Sequence, residues 1–136
     1  MASTADIVRA YYDRFNAGDW EGMLALLAED VAHDLNHGDR EIGRDAFRAF
    51  LKRMEGSYKE RLENIVILGE GARVAAEYLV AGKYIKTDEG LPPATGQTYR
   101  LPGGAFFDVA GGRITRVTNY YNLDQWLRLI GAKPGA

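Results

Sequence analysis

Residues 58–84, YKERLENIVILGEGARVAAEYLVAGKY, decide the fold of this chain. Two runs rich in β-branched, aromatic and alternating apolar residues flank a glycine turn, which predicts a hairpin of long strands at about 58–68 and 72–87. Two similar runs follow at about 97–109 and 113–123. Short connections favour antiparallel pairing, because a parallel return needs about a dozen residues or more. The second half of the chain is therefore predicted to form an antiparallel meander.

This sheet is expected to curve strongly. Strands of this length coil, and Pro102, Gly103 and Gly104 interrupt the third long strand, which predicts a bulge or a sharp bend there. A curved sheet has a concave face that other elements must cover. The volume enclosed beneath that cover is the candidate ligand pocket.

The first half of the chain shows helical periodicity and supplies the cover. Apolar residues recur at helical spacing in three segments, with a short alternating strand and a turn between the second and the third. The helical segments are residues 5–16, 20–27 and 44–55, and the strand lies at about residues 31–36. The predicted fold class is α+β, with three N-terminal helices on a strongly curved antiparallel sheet, in a single domain over residues 1–136.

Composition excludes several classes of function. The 136 residues include no cysteine, which excludes disulfides, cysteine-zinc sites, iron–sulfur clusters and a thiolate nucleophile. Mixed charges with a formal net charge of -2 give no basic surface, so neither nucleic acid nor a membrane is an expected partner. Because no signal-like or membrane-spanning run occurs, the expected address is the cytoplasm.

Asp34 is the first candidate for chemistry. Alternation along its strand places Asp34 on the face opposite His33, and one of these faces must look inward. A carboxyl group in an apolar pocket has a raised pKa and becomes a proton acceptor near neutral pH. The alternative is a strand-end aspartate that bonds a turn and lies in water.

Tyr11 is the second candidate, because it lies one helical turn from both Ile7 and Phe15 and so points its phenol toward the core. A buried phenol needs a partner, which is either a ligand oxygen or a backbone carbonyl. Aromatic and amide side chains predicted to face the pocket are the candidate ligand contacts. These ligand-binding candidates are Phe50, Tyr78, Tyr99, Asn119 and Tyr121.

The spacing of His33 and His37 invites a metal interpretation. Four residues bring two imidazoles together on a helix, whereas HDLNHG reads as a strand and a turn. The glycine pairs also lack the strand-to-helix context of a nucleotide loop. No metal and no cofactor are therefore expected.

Three segments, AYYDRFNAGDWEGMLALLAEDV, HDLNHGDREIGRDAF and GGRITRVTNYYNLDQW, occur in an order that resembles the nuclear transport factor 2 (NTF2)-like superfamily. Within it, the chain is most similar to SnoaL-like proteins related to steroid delta-isomerase, and the likeness covers nearly the whole chain. The resemblance implies a cystatin-like cone with a pocket for a small apolar or carbonyl-containing ligand. It also implies a homodimer packed through the sheet.

The resemblance assigns roles to two residues. Ketosteroid isomerases of this superfamily use an aspartate shortly before the GR that begins the third helix, which corresponds to Asp34 after a one-residue gap, and a tyrosine that corresponds to Tyr11. A protonated aspartate completes their oxyanion hole, but Gly103 and Gly104 hold the matching positions. An isomerase or cyclase with Asp34 as base is implied. The missing acid, and the void that two glycines would leave, keep a non-catalytic binding or dimerisation module open as the alternative.

Overall fold

The computed structural model describes residues 2–36 and 38–131. In this part of the chain, four helices accompany one six-stranded sheet. The helices are α1 (Thr4–Asn16), α2 (Trp20–Leu24), α3 (Arg44–Ser57) and α4 (Leu123–Leu129). The strands are β1 (Leu27–Asp34), β2 (Arg40–Ile42), β3 (Tyr58–Leu68), β4 (Arg73–Tyr84), β5 (Thr98–Ala110) and β6 (Arg113–Tyr121). None of the described helices is long and apolar enough to cross a membrane.

The strand order is β2-β1-β6-β5-β4-β3. Strands β3 to β6 form the predicted antiparallel meander, which is confirmed. The expectation of a wholly antiparallel sheet is wrong at one place, because β1 pairs with β6 in parallel. More than a dozen residues separate these two strands in the chain, so the turn-length argument that fixes the meander places no limit on their direction.

The helices differ from the expected three in two respects. α2 ends at Leu24, and Leu27, expected as its last core residue, begins β1 instead. Leu27 and Val31 are both buried, and a four-residue spacing puts two side chains on one face of a strand as well as of a helix. α4 was not predicted; it begins after Asn122, whose side chain accepts a hydrogen bond from the Gln125 backbone amide.

Of the bulge or sharp bend predicted at residues 102–104, the bulge is wrong, because β5 keeps continuous register with β4 there and with β6 at residues 103 and 104. The sharp bend stays a prediction. The register shifts of the described sheet lie elsewhere: between Glu63 and Val66 in β3, opposite Asp108 and Val109 where β6 holds one extra residue, and between Leu27 and Ala32 in β1. Asn64, inside the first shift, has a φ of 52°, which only a locally irregular strand accommodates.

Two groups of buried side chains lie between the helices and the sheet. The larger lies beneath α1 to α3, where the rings of Tyr11 and Tyr12 meet Phe107 edge-on at centroid distances of 5.4 and 5.7 Å. Burial of each such side chain contributes roughly 1.5–3 kcal/mol. The smaller group lies beneath α4 and comprises Tyr58, Tyr84, Tyr99, Leu101, Trp126 and Ile130.

An ion pair and a hydrogen bond join three strands on the outer face of the sheet at Asp34. Arg40 on β2 binds the carboxylate through Nε at 2.6 Å and Nη2 at 3.0 Å, and Thr118 on β6 donates its hydroxyl at 2.6 Å. The Arg40 interaction lowers the pKa of Asp34 to about 2, helped by Thr118. Asp34 therefore fastens β1 between its two neighbours.

Asp108 on β5 repeats this arrangement further along the same face. Arg116 on β6 and Arg73 on β4 each bind its carboxylate at 2.8 Å. The hydrogen bond from Arg116, followed by that from Arg73, lowers the pKa of Asp108 to about 2. Arg116 also donates to the Thr118 hydroxyl at 2.5 Å, which links the two clusters.

Asp34→Asn and Asp108→Asn are each expected to lower the free energy of unfolding by about 1 kcal/mol at neutral pH, after allowance for solvent screening. A carboxyl group with a lowered folded pKa stabilises the protein above its unfolded pKa of about 3.9, and that stabilisation is lost as the pH falls. The gap between wild type and variant should therefore close as the pH falls from about 4 towards about 2, as measured by urea denaturation. Asp13→Asn, at an exposed site on α1, is the control. A gap that is unchanged at the lowest pH would contradict the interpretation.

Candidate functional site

A cavity of about 870 Å³ lies between the helices and the sheet. Its wall is mostly apolar, and its volume lies within the roughly 300–1,000 Å³ of pockets that hold drug-sized molecules. A pure dimerisation module would have an interior filled by its own side chains. The cavity contradicts that expectation.

Six of the seven site residues expected from the sequence line the cavity. They come from α1, α3 and three strands, and they are Tyr11, Phe50, Tyr78, Tyr99, Asn119 and Tyr121. Their contact with a ligand remains a prediction.

Asp34 is the exception. Its side chain lies on the outer face, held by Arg40 and Thr118, and its pKa is lowered rather than raised. The expected inward orientation and raised pKa of Asp34 are therefore wrong. Alternation along β1 gives the inward position to His33 instead, which lies on the same face as buried Val31.

His33 is a neutral imidazole in the cavity wall. Only 2% of its surface is exposed, and its ring stacks on Phe47 at 4.2 Å and meets Phe50 edge-on at 4.8 Å. Burial lowers the pKa of His33 to about 4, with Asp34 acting weakly in the opposite direction. Nε2 lies 3.4 Å from the amide nitrogen of Asn119, while Nδ1 has no hydrogen-bond partner in the described residues.

The metal interpretation gains no support from the described residues, which contain no cluster of three or more histidine, cysteine or acidic side chains positioned for an ion. His37, the second histidine of the predicted pair, lies outside the residues that the structure describes.

Tyr11 and Tyr12 on α1 contribute two phenols to the cavity wall. Both rings are buried, and burial raises the pKa of each, so both hydroxyl groups stay protonated at physiological pH. The Tyr12 hydroxyl is buried without a hydrogen-bond partner in the structure as described. Tyr11 packs edge-on against Phe47 at 6.5 Å, so Tyr11 and His33 both contact Phe47. The expected phenol and an unexpected base therefore share one neighbour in the cavity wall.

Glu60 is a cavity residue that the sequence analysis missed. Its carboxylate accepts a hydrogen bond from the Tyr99 hydroxyl, and burial raises its pKa. The signal was available: Glu60 lies between Tyr58 and Leu62 in the alternation of β3, and both neighbours are buried.

Two glycines make room for the rings in this wall. Gly82 is paired with Glu60 on one side and with Tyr99 on the other, and a Cβ at Gly82 would lie 2.3 Å from the Tyr99 ring. The absent side chain lets Tyr99 cross β4 and reach Glu60. Gly103 plays the same part for Tyr78, whose ring would lie 2.7 Å from an added Cβ. The void expected at Gly103 is therefore filled by Tyr78.

The loop between β4 and β5 forms part of the rim. Tyr58 donates its hydroxyl to Asp88 at 2.9 Å, and Arg53 on α3 approaches the same carboxylate at 3.6 Å. Tyr84 accepts from the Asp88 backbone amide and donates to the Pro92 carbonyl, at 2.9 and 2.7 Å. These bonds hold the loop against the cavity, which Asp88 and its neighbours help to line.

Known proteins resemble the chain in sequence and in structure. The SnoaL-like domain family matches residues 8–117. A candidate polyketide cyclase from Xanthomonas campestris pv. campestris shares 64% identity over 92% of this chain and 94% of its own, with a TM-score of 0.90. A second candidate polyketide cyclase, from Pseudomonas putida KT2440, shares 50% identity over 96% of this chain and 100% of its own, with a TM-score of 0.94.

A more distant structure identifies the fold alone. An NTF2-like protein from Burkholderia pseudomallei K96243 is 22% identical over 97% of this chain and 100% of its own, with a TM-score of 0.79. The fold is therefore NTF2-like. No curated protein matches the sequence.

Gly82→Ala is expected to lower the free energy of unfolding by about 1–3 kcal/mol, because the new methyl group overlaps the Tyr99 ring and displaces it from Glu60. Chemical denaturation measures the change. Gly56→Ala in α3 is the matched control, since nothing lies within 4 Å of its added Cβ. The control should be neutral, or more stable by up to about 1 kcal/mol from helix propensity. Equal effects at both positions would show that Tyr99 is not sterically locked.

Proposed function

The chain belongs to the SnoaL-like domain family, and from this premise we propose that it binds a small, largely apolar carbonyl compound and moves a proton beside the carbonyl group, as an isomerase or cyclase does. One observation carries the proposal. The neutral imidazole of His33 and the ring of Tyr11 both pack against Phe47, and both residues line the same mostly apolar cavity. The similarity to candidate polyketide cyclases supports the same class of reaction.

His33 is the proposed proton acceptor, in place of the Asp34 base that the resemblance implies. Its pKa of about 4 leaves the imidazole unprotonated at neutral pH. This base strength is close to that of the ketosteroid isomerase aspartate, about 4.6, which abstracts a proton from carbon when donors stabilise the resulting oxyanion. Because His33 rather than Asp34 faces the cavity, the proposed base is an imidazole whose basicity is similar to that of the expected carboxylate.

The side chains of His33 and Tyr11 account for every proton that the reaction moves. His33 takes the proton from the carbon beside the carbonyl, and the electron pair moves to the carbonyl oxygen, where the Tyr11 hydroxyl donates a hydrogen bond. Return of the proton to another carbon completes an isomerisation. Attack of the enolate carbon on a second carbonyl forms a ring, and the new alkoxide takes the proton from His33.

A binding protein without turnover is the second candidate. The absence of the second acid favours it, because Gly103 offers no donor and Tyr78 occupies the space. Losing one oxyanion donor typically costs about 10²-fold to 10³-fold in rate. Binding alone would leave the ligand chemically unchanged.

Deuterium exchange from D₂O into the α-carbon of a bicyclic enone, followed by proton NMR, tests the reaction. His33→Gln should slow exchange by about 10²-fold, because the amide can keep the contact with Asn119 but cannot accept the proton. Tyr11→Phe should slow it by roughly 10²-fold or more. Glu29→Gln, at an exposed site on the same strand as His33, is the control.

The pH profile distinguishes the bases. Exchange should fall as the pH drops through about 4, because protonation of His33 removes the base. Circular dichroism at each pH confirms that the protein is still folded. Loss of exchange in Asp34→Asn with full exchange in His33→Gln would assign the base to Asp34 and overturn this mechanism. Absence of any exchange would favour binding without turnover.

We also propose that the protein is cytoplasmic and forms a homodimer. The two copies pack through the outer faces of their sheets. The outer face exposes large apolar side chains: Leu68 is 59%, Phe106 43% and Tyr120 56% exposed. Phe106 and Tyr120 pack edge-on at 5.8 Å across β5 and β6. A second copy presenting the same face would bury this patch, as the resemblance implies.

Phe106→Glu is expected to convert the dimer to a monomer, because a carboxylate would replace apolar contact at the centre of the face. Sedimentation equilibrium measures the mass. Leu129→Glu, at an exposed position of α4, is the control and should remain dimeric. A monomeric wild type, or dissociation of the control alone, would contradict the proposed interface.

A further inference from the structure

The end of the cavity beneath α4 contains a carboxyl group that the proposed reaction does not use. We call it the aromatic end, and it comprises Glu60, Tyr58, Tyr78, Tyr99, Tyr121 and Trp126. Each strand of the meander contributes to it. Glu60 and Tyr58 come from β3, and one tyrosine comes from each of β4, β5 and β6.

Glu60 has no cationic partner in the described residues. Its hydrogen bond comes from the neutral Tyr99 hydroxyl, and none of the ion pairs involves it. Lys59 and Lys83, which are its chain neighbour and the chain neighbour of its partner Gly82, are both exposed. Because burial penalises a carboxylate that lacks a counter-charge, the pKa of Glu60 is raised.

Aromatic faces surround this carboxyl group. The Trp126 ring lies 5.7 Å from the ring of Tyr58, 6.0 Å from that of Tyr99 and 6.4 Å from that of Tyr121. Burial raises the pKa of the Tyr58, Tyr78, Tyr99 and Tyr121 hydroxyls, and the charge of Glu60 adds to the shift in each, so all four lie within its electrostatic reach. Aromatic faces attract cations, and desolvation strengthens that attraction.

Charges along the cavity wall favour a cation as well. The acidic residues that line the cavity are Glu55, Glu60, Asp88 and Glu89, against Arg53 and Lys59. Arg53 is already committed to Asp88 at 3.6 Å. The excess of carboxylates attracts a positively charged group and repels an anionic one.

We propose that the aromatic end binds an organic cation, a protonated amine or a quaternary ammonium group, carried by the ligand. The inference rests on the proposed function for the other end of that ligand, where the carbonyl group lies between His33 and Tyr11. The ligand class is then an apolar amino ketone. The ammonium group supplies the counter-charge that Glu60 lacks, and the surrounding rings exclude water from the pair.

Binding of n-octylammonium and n-octanol, which share an alkyl chain, tests the charge alone. Trp126 fluorescence and calorimetry at pH 7 measure both affinities. Wild type should bind the amine at least about tenfold more tightly than the alcohol, and Glu60→Gln should remove that preference.

Thermal unfolding separates a binding role from a structural one. Glu60→Gln keeps the shape and the hydrogen bond from Tyr99 and removes an unpaired buried charge, so the melting temperature should stay the same or rise. Equal affinity for the two probes in wild type, no binding of the amine, or an amine preference that survives in Glu60→Gln would each overturn the inference. Absence of the amine preference in wild type, together with intact deuterium exchange of the neutral enone, would refute this inference alone. An amine preference that Glu60→Gln removes, in a protein that catalyses no deuterium exchange, would refute the proposed reaction alone.

Discussion

The parallel pairing of β1 with β6 is the constraint on which the rest of the site depends. Side chains on a strand alternate, so a slip of one residue would exchange every inward group for its neighbour. The pairing of His33 with Val117 and of Asp34 with Thr118 fixes the register. The outer-face bonds of Asp34 then hold that register, and they are available only while Asp34 points outward.

The cavity wall depends on a second constraint, which is close contact between glycine and tyrosine on neighbouring strands. The ring of Tyr99 lies over Gly82 and the ring of Tyr78 lies over Gly103. Each ring therefore occupies the space that a side chain on the neighbouring strand would otherwise take. As a result the Tyr99 hydroxyl reaches Glu60, and Tyr78 lies within the electrostatic reach of the same carboxyl group. A side chain larger than hydrogen at Gly82 or Gly103 would displace the tyrosine ring above it, and Tyr99 would lose its hydrogen bond to Glu60 at the aromatic end.

Local patterns in the sequence predict most of this fold, while the remaining features depend on distant partners. The meander, α1, α3 and six lining residues follow from periodicity, turn length and alternation. The β1–β6 pairing does not, because nothing near either strand encodes the direction in which distant strands meet. The sequence also does not predict whether His33 or Asp34 faces the cavity, for the same reason. That orientation depends on Arg40 and Thr118, which reach Asp34 only after the sheet has assembled.

The carboxylates that fasten the strands lie on the face opposite the cavity. Asp34 and Asp108 bind arginines across the outer surface, and neither touches the groups that line the interior. The ion pairs that fasten the strands on the outer face and the groups that line the cavity are therefore separate sets. Mutations that reshape the interior cost packing energy but leave these ion pairs intact, so the strands keep their alignment while inherited changes in the cavity wall alter which guest molecule fits.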